Sequence, residues 1–361
     1  MIWLRRLVIG AVSIGLLLFV LSNLFSRQIG TLAFNRIVER QAGADPSAEL
    51  PDGLHVYMCG TGSPLPDATR AGPCIGVQAG QKAYVFDVGS GSVRNMGLMG
   101  FPTARLEAIF LTHLHSDHLD SLGELLLNAW IAGSRSAPLP VYGPVGTDDV
   151  VTGFNLAYRT DGGFRTAHHG VEIANPLGQG GRANEISLPE SGTGSVVVLE
   201  DGDLTISAIV VAHAPVHPAL GYRIDYKDRS VSISGDTIYS DSFVAGSDGV
   251  DIMFHEALDP EMVGKIGETL AANGATVGAK IFADIPDYHA TPEDAARAAE
   301  DANADRLVFY HFVPALPASL LEPVFLGDVK SIYRKPVMIG QDGMIFSLPA
   351  GSNEVLEASG F

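Results

Sequence analysis

Four potential metal ligands occupy six consecutive positions, His113-Leu114-His115-Ser116-Asp117-His118, directly after an apolar stretch. Side chains at alternate positions of an extended chain point the same way, so His113 and His115 can reach one cation. The turn that follows redirects Asp117 and His118 towards a second. As a merely solvated loop, the segment would need three imidazoles and a carboxylate to meet at this spacing by coincidence. Each cation of a hydrolytic centre takes about three protein groups and keeps a position for water or substrate. Further ligands must therefore come from elsewhere, and His213, Asp236 and His311 each follow an apolar, strand-like run. His217 rivals His213, and spacing alone does not separate them. His168 and His169 lie in a glycine-rich stretch and read as solvated or substrate-facing.

The elements that position these residues are legible as short apolar runs bounded by Gly, Pro and Asp. Leu54 to Cys59, Ala83 to Phe86 and Ala108 to Leu111 read as strands, each ending in polar chemistry. Ser121 to Ala132 has helical spacing through Leu122, Leu125, Leu126 and Ala129. Strands resume at Leu204 to Ala212, Gly221 to Tyr226 and Ser230 to Ser234. Thr291-Pro292-Glu293 opens a helix, with Thr as cap and Pro in the first turn, and Arg306 to Tyr310 follows as a strand. Residues 160–195 lack sustained periodicity and read as an irregular insertion or lid. Two strand-rich halves with polar strand ends imply two packed sheets with helices outside.

The 361 residues are 46% hydrophobic and 18% charged, the composition of a globular chain. A net charge of -18 disfavours nucleic acid as partner, because neutralising phosphates takes clustered Lys and Arg. Arg5 and Arg6 precede an uncharged apolar run from Leu7 to Phe25, and Arg27 follows. About 20 such residues span a bilayer as a helix, and no small-residue cleavage motif precedes Ser26. The expected organisation is a transmembrane anchor at 1–26, a linker at 27–52 and a catalytic domain at 53–361. The charge rule leans towards an inside amino terminus, hence a membrane-anchored domain exported to a periplasmic side. Cys59 and Cys74 each read first as a small buried hydrophobe, although an exported domain admits one bridge.

Together these segments resemble the metallo-β-lactamase superfamily, in the branch containing ribonuclease Z and the arylsulfatase-like alkylsulfatases and phosphodiesterases. The resemblance runs from Leu54 to about Leu348. It rests on Gly60-Thr61-Gly62-Ser63-Pro64, the His113 to His118 motif, His213-Ala214-Pro215-Val216, Ser234-Gly235-Asp236-Thr237, His255-Glu256-Ala257, His289-Ala290-Thr291-Pro292 and His311-Phe312-Val313-Pro314. It implies a four-layer αββα sandwich with His113, His115 and His213 on one ion, Asp117, His118 and His311 on the other, and Asp236 bridging. It also implies His213 rather than His217 as ligand. His and carboxylate donors suit zinc first and also admit manganese or iron.

Two such cations lower the pKa of a shared water and offset charge on an ester. The resemblance implies that Asp117 orients that water or takes its proton, and that His289, its tautomer fixed by Glu256, protonates the leaving oxygen. The expected activity is hydrolysis of small anionic sulfate or phosphodiester-type esters, arylsulfatase-like, in a chain that could pair as a homodimer. The alternatives are a ribonuclease Z-type tRNA 3'-processing endonuclease and a lactonase or β-lactamase-like hydrolase. The stretch Arg159 to Glu200 carries no lysine, so no basic tRNA-binding arm is visible there. A noncatalytic binding module is the weakest reading, since all seven candidate ligands are present.

Overall fold

The computed structural model describes residues 2–189 and 192–361. The chain divides into two compact units, Met1–Glu49 and Leu50–Phe361. In the first, a helix at Ile2–Leu24 includes a stretch, Trp3–Leu24, long and apolar enough to cross a membrane. Residue 1 of the expected anchor lies outside the described residues. Ser26–Gln41 forms a second helix, so the expected linker at 27–52 is largely regular structure. Arg27, Arg36, Glu39 and Arg40 set this helix apart from its apolar neighbour.

Among the described residues, the second unit is built on fifteen strands. The first six are β1 (Gly53–Gly60), β2 (Cys74–Ala79), β3 (Lys82–Phe86), β4 (Leu106–Phe110), β5 (Leu139–Gly143) and β6 (Gly181–Glu185). The next seven are β7 (Ser195–Asp201), β8 (Leu204–His213), β9 (Val216–Tyr226), β10 (Arg229–Ile233), β11 (Ile252–Leu258), β12 (Leu307–Val313) and β13 (Val337–Ile339). Two more, β14 (Met344–Pro349) and β15 (Leu356–Ser359), return to the first sheet. The first sheet runs β15-β14-β1-β2-β3-β4-β5-β6 and the second β13-β12-β11-β10-β9-β8-β7. Strands β3 to β6 are mutually parallel, as are β10 to β13, so their carboxyl ends share an edge in each sheet. In parallel sheets that edge is where functional side chains collect.

The layering follows from which faces are apolar. Val56, Phe86 and Phe110 of the first sheet meet Tyr222, Ile224 and Phe254 of the second in one buried cluster. Phe86 stacks on Phe110 with centroids 5.0 Å apart. On the far side of the first sheet, Leu122, Leu125 and Leu126 of the helix Leu122–Ala132 pack with Val85 and Ile109. On the far side of the second, Ala295 and Ala299 of the helix Pro292–Asp301 pack with Met253 and Phe309. Each large side chain so buried contributes about 1.5–3 kcal/mol of transfer free energy. Helix, sheet, sheet, helix is the resulting order. Thr291 caps the Pro292–Asp301 helix, its hydroxyl accepting the Asp294 N–H while the Asp294 carboxylate accepts the Thr291 N–H.

Two expectations need correcting. The stretch 160–195 is not irregular throughout: its start completes a helix, Thr147–His169, and Gly181–Glu185 is an edge strand. Glycines hid that helix, yet Gly162 is there for packing, since a Cβ would come within 2.1 Å of the Gln179 side chain. Residues 190 and 191 of the stretch lie outside the described residues. Cys59 and Cys74 are not two separate hydrophobes but a disulfide. Their strands pair with an irregularity between Met58 and Gly60 that brings Cys59 beside Cys74.

Candidate metal centre

The candidate ligands sit where strands give out or, for His311, where one bulges. The first motif leaves β4, where the Thr112 amide and hydroxyl both donate to the carboxylate of Asp87, at 2.8 Å each. The chain then turns through Ser116–His118, and the Val88 amide donates to the His118 carbonyl at 2.8 Å. Gly89 permits this closure, because a Cβ there would lie 2.5 Å from the Asp117 carbonyl oxygen. Asp236 follows β10 and is preceded by Gly235 at φ +60, where a side chain would strike the Leu220 carbonyl. His311 lies in β12 opposite a register shift, with Tyr310 and His311 both facing Glu256 of β11. Such a bulge re-aims a side chain. His311 itself takes φ 44, a left-handed conformation costing on the order of 1–3 kcal/mol for a non-glycine residue.

The result is two groups. Ligand atoms of His113, His115, His213 and Asp236 lie within 4.8 Å of one another, as do those of Asp117, His118 and His311. His113 Nε2 is 2.9 Å from His115 Nδ1, and His311 Nε2 is 3.0 Å from His118 Nε2. Asp236 faces both groups with different oxygens. Its Oδ2 lies 3.8 Å from Nε2 of both His113 and His213. Its Oδ1 lies 3.3 Å from His118 Nε2 and 3.2 Å from His311 Nε2. Asp117 Oδ2 is 3.4 Å from His311 Nε2 and 3.6 Å from His118 Nε2. All seven candidates are thus brought together. His217 is exposed and outside both groups, and His168 and His169 end the helix Thr147–His169 in solvent.

Hydrogen bonds fix which nitrogens face inward. His118 Nδ1–H donates to Asp87 Oδ2 at 2.8 Å, and His213 Nδ1–H donates to the Tyr288 carbonyl at 2.9 Å. In each case Nε2 is left to face the groups. Asp87 and Tyr288 were not singled out by the sequence. Asp87 had a signal, being the polar residue that ends β3; Tyr288, acting through its carbonyl, had none. Glu256 Oε1 accepts from His289 Nδ1–H at 3.0 Å, the Thr237 amide at 3.1 Å and the Ala290 amide at 3.2 Å. His289 opens with His115, Asp117, Asp236 and His311 onto one cavity of about 270 Å³.

These residues fit a pair of cations. Among the described residues, His213 Nε2 and Asp236 Oδ1 are buried without a hydrogen-bond partner, a costly state unless something else meets them. The electrostatics make the same demand. Burial pushes His311 down, but the neighbouring carboxylates of Asp236 and Asp117 carry it up to about 10. Burial likewise opposes, and Asp236 and Asp87 override, so that His118 stands well above an ordinary imidazole. Burial raises Asp236, yet His311, His118 and His113 hold it well below the usual carboxylate range. His113, His115 and His213 are pushed down, chiefly by burial, and so favour neutral rings. The carboxylates thus draw positive charge into the centre, which protons or divalent cations can supply.

Comparison with known proteins accords with this geometry. Residues 99–312 match the model of the β-lactamase superfamily domain. The chain is 35% identical over 265 residues to ribonuclease Z of Mycobacterium bovis, covering 73% of this chain and 87% of that protein. Among solved structures, the metallo-β-lactamase fold protein YhfI from Bacillus subtilis aligns with a TM-score of 0.57 at 20% identity, covering 82% of this chain and all of that one. Human tRNase Z, short form, aligns with a TM-score of 0.56 at 22% identity, covering 82% of this chain and 99% of that one. The ribonuclease relatives favour the ribonuclease Z alternative over the arylsulfatase-like reading. They also overturn the expectation that nucleic acid is disfavoured and a small anionic ester preferred. Net charge was the wrong guide, because surface charges are screened beyond about 8–10 Å and a phosphate responds to the field of the centre it enters.

Proposed function

Because the chain belongs to the metallo-β-lactamase superfamily and, within it, to the ribonuclease Z family, we propose that it is a metal-dependent RNA phosphodiesterase acting on precursor tRNA. The observation that carries this is Asp236, whose two oxygens face two separate sets of imidazoles beside a Glu256-held His289. On this reading His113, His115 and His213 would hold one zinc ion, Asp117, His118 and His311 the other, and Asp236 both. Two zinc ions, when bound, supply Lewis acidity that lowers the pKa of a shared water and offsets charge on the phosphate oxygens.

The chain's own residues do the rest. Asp117, only partly buried, orients the attacking water and takes its proton. Glu256 keeps the proton of His289 on Nδ1 when the ring is neutral, so Nε2 faces the cavity. Burial opposes the charged form of His289, but Glu256 raises its pKa, which suits a residue that donates a proton to the leaving oxygen. The test is to incubate the zinc-loaded full chain with a precursor tRNA, an aryl sulfate and a bis-aryl phosphate. Metal-dependent cutting of the precursor at one position is expected. Turnover of the aryl sulfate without any RNA cleavage would refute the reading.

A second reading concerns where the enzyme works. The buried Cys59–Cys74 disulfide favours an oxidising compartment, and the apolar Trp3–Leu24 helix suits a membrane anchor. An anchored, exported domain would meet RNA other than the cell's own precursors. Protease accessibility of Leu50–Phe361 in intact spheroplasts tests this, with digestion expected for export and protection arguing against it.

A further inference from the structure

The cavity that receives Asp117, Asp236 and His289 has a second wall that the proposed chemistry does not use. Leu65, Ile281, Phe282, Ile285 and Val313 line it, next to Tyr288. Most of the wall comes from the second helix of a hairpin, Pro260–Ala272 and Thr276–Asp284, and the turn after it. Glycines hold the two helices close: a Cβ on Gly267 would lie 3.3 Å from Phe282, and one on Gly278 3.2 Å from Leu270. Phe282 is therefore positioned by its own hairpin. Val277 and Ile281, one turn apart on the helix, and Ile285 just past its end recur every fourth residue. Val277 is 75% exposed and Ile281 52%.

A substrate that suits this cavity carries a phosphate at one end and an apolar face at the other. The described lining residues include no lysine or arginine, so a second phosphate has no fixed cation to meet there. A nucleobase is flat, offers apolar faces and is joined through its sugar to the phosphate. At about 270 Å³ the cavity is smaller than the roughly 300–1,000 Å³ typical of drug-sized ligands, which suits one flexible nucleotide rather than a duplex. Aromatic side chains bind bases by stacking with little regard to sequence, because every base has a π-face.

We propose that this wall is the subsite for the nucleobase next to the scissile phosphodiester, with Phe282 as the stacking residue. The inference rests on the RNA phosphodiesterase reading above. It assigns the hairpin a role in gripping a single-stranded end, leaving the folded part of the RNA outside. Phe282 is a specificity residue rather than a group that moves a proton.

The test is a double-perturbation cycle on the zinc-loaded full chain. Steady-state cleavage is measured for RNA with a normal or an abasic nucleotide beside the cleaved bond, using the unmodified protein, Phe282→Leu and Phe282→Tyr. Leu keeps an apolar contact with Gly267 but removes the ring, and Tyr restores it. For the unmodified protein, the abasic site should raise KM about tenfold, within the range expected of one stacked base. Phe282→Leu should raise KM on normal RNA by a similar factor and respond little to the abasic site. Phe282→Tyr should regain the response. Losses that simply multiply in Phe282→Leu, or a KM unchanged by that substitution, would overturn the proposal while RNA cleavage stands. Failure of the unmodified protein to cut RNA would overturn the reading beneath it, and this subsite with it.

Discussion

Asp87 grips His118: the imidazole Nδ1–H donates to Asp87 Oδ2 at 2.8 Å, and the same carboxylate accepts the amide and hydroxyl of Thr112. One carboxylate thus ties the end of β3 to the motif that leaves β4. Losing such an outer partner typically lowers metal affinity by about 10–100-fold. Asp87→Ala should show a loss of that size in competition with a chromophoric chelator. Affinity equal to that of the unmodified protein would mean that the His118 ring is held by packing alone.

Asp236 has no substitute, because its two oxygens face different groups. Asp236→Ala should reduce bound zinc from about two per chain to one or none, and lower RNA cleavage by more than the roughly hundredfold expected for an outer-partner change. Metal analysis beside single-turnover kinetics checks both. Two tightly held ions in this variant would count against the bridging role.

Glu256 should be visible in the pH profile. Burial opposes the charged form of His289, and Glu256 raises its pKa by charge and hydrogen bond. A proton donor works below its pKa, so activity should fall on the alkaline side as His289 deprotonates. Glu256→Gln removes the charge and should move that falling limb to lower pH. His289→Ala should reduce kcat by about 10²–10⁴, the usual range for a general acid. A lowered rate with the limb unmoved would assign Glu256 a purely structural part.

Much of this centre was legible because its first four members are adjacent in sequence, and ligand density over six positions is a local property. His213, Asp236 and His311 could be found from the apolar runs that precede them, but only the fold brings them together. Asp87 escaped notice because its partners are 25 and 31 positions away. The hairpin of Pro260–Ala272 and Thr276–Asp284 was missed although Asp259 caps its first helix and accepts from the Glu261 and Met262 amides. Its glycines dilute the helical pattern while allowing the close packing. The Cys59–Cys74 pair depends on strand register, which residue types do not reveal.

Metal uptake should release protons. His311, carried up to about 10, and His118, also raised, hold protons at neutral pH until a cation displaces them. Zinc affinity should therefore rise from pH 6 to pH 8. In chelator-treated protein the sign reverses. Both groups are raised above their unfolded value of about 6.5. Their stabilisation is full below that pH and declines as pH rises, for His311 through about 10. Thermal unfolding of the chelated protein should weaken over that window. Zinc affinity independent of pH would contradict the assignment.

The disulfide closes a loop with a sequence separation of 15, whose residues Pro64 and Leu65 line the cavity. A crosslink over such a loop stabilises by about 3 kcal/mol. Replacing both cysteines with serine should lower the denaturation midpoint accordingly. An unchanged midpoint would show that the strands alone fix the loop.

The most direct measurement is anomalous scattering at the zinc edge from crystals of the zinc-loaded protein. Two peaks are expected, one on each side of the Asp236 carboxylate, the first among His113, His115 and His213 and the second among Asp117, His118 and His311. A single peak, or peaks away from Asp236, would contradict a shared two-metal centre.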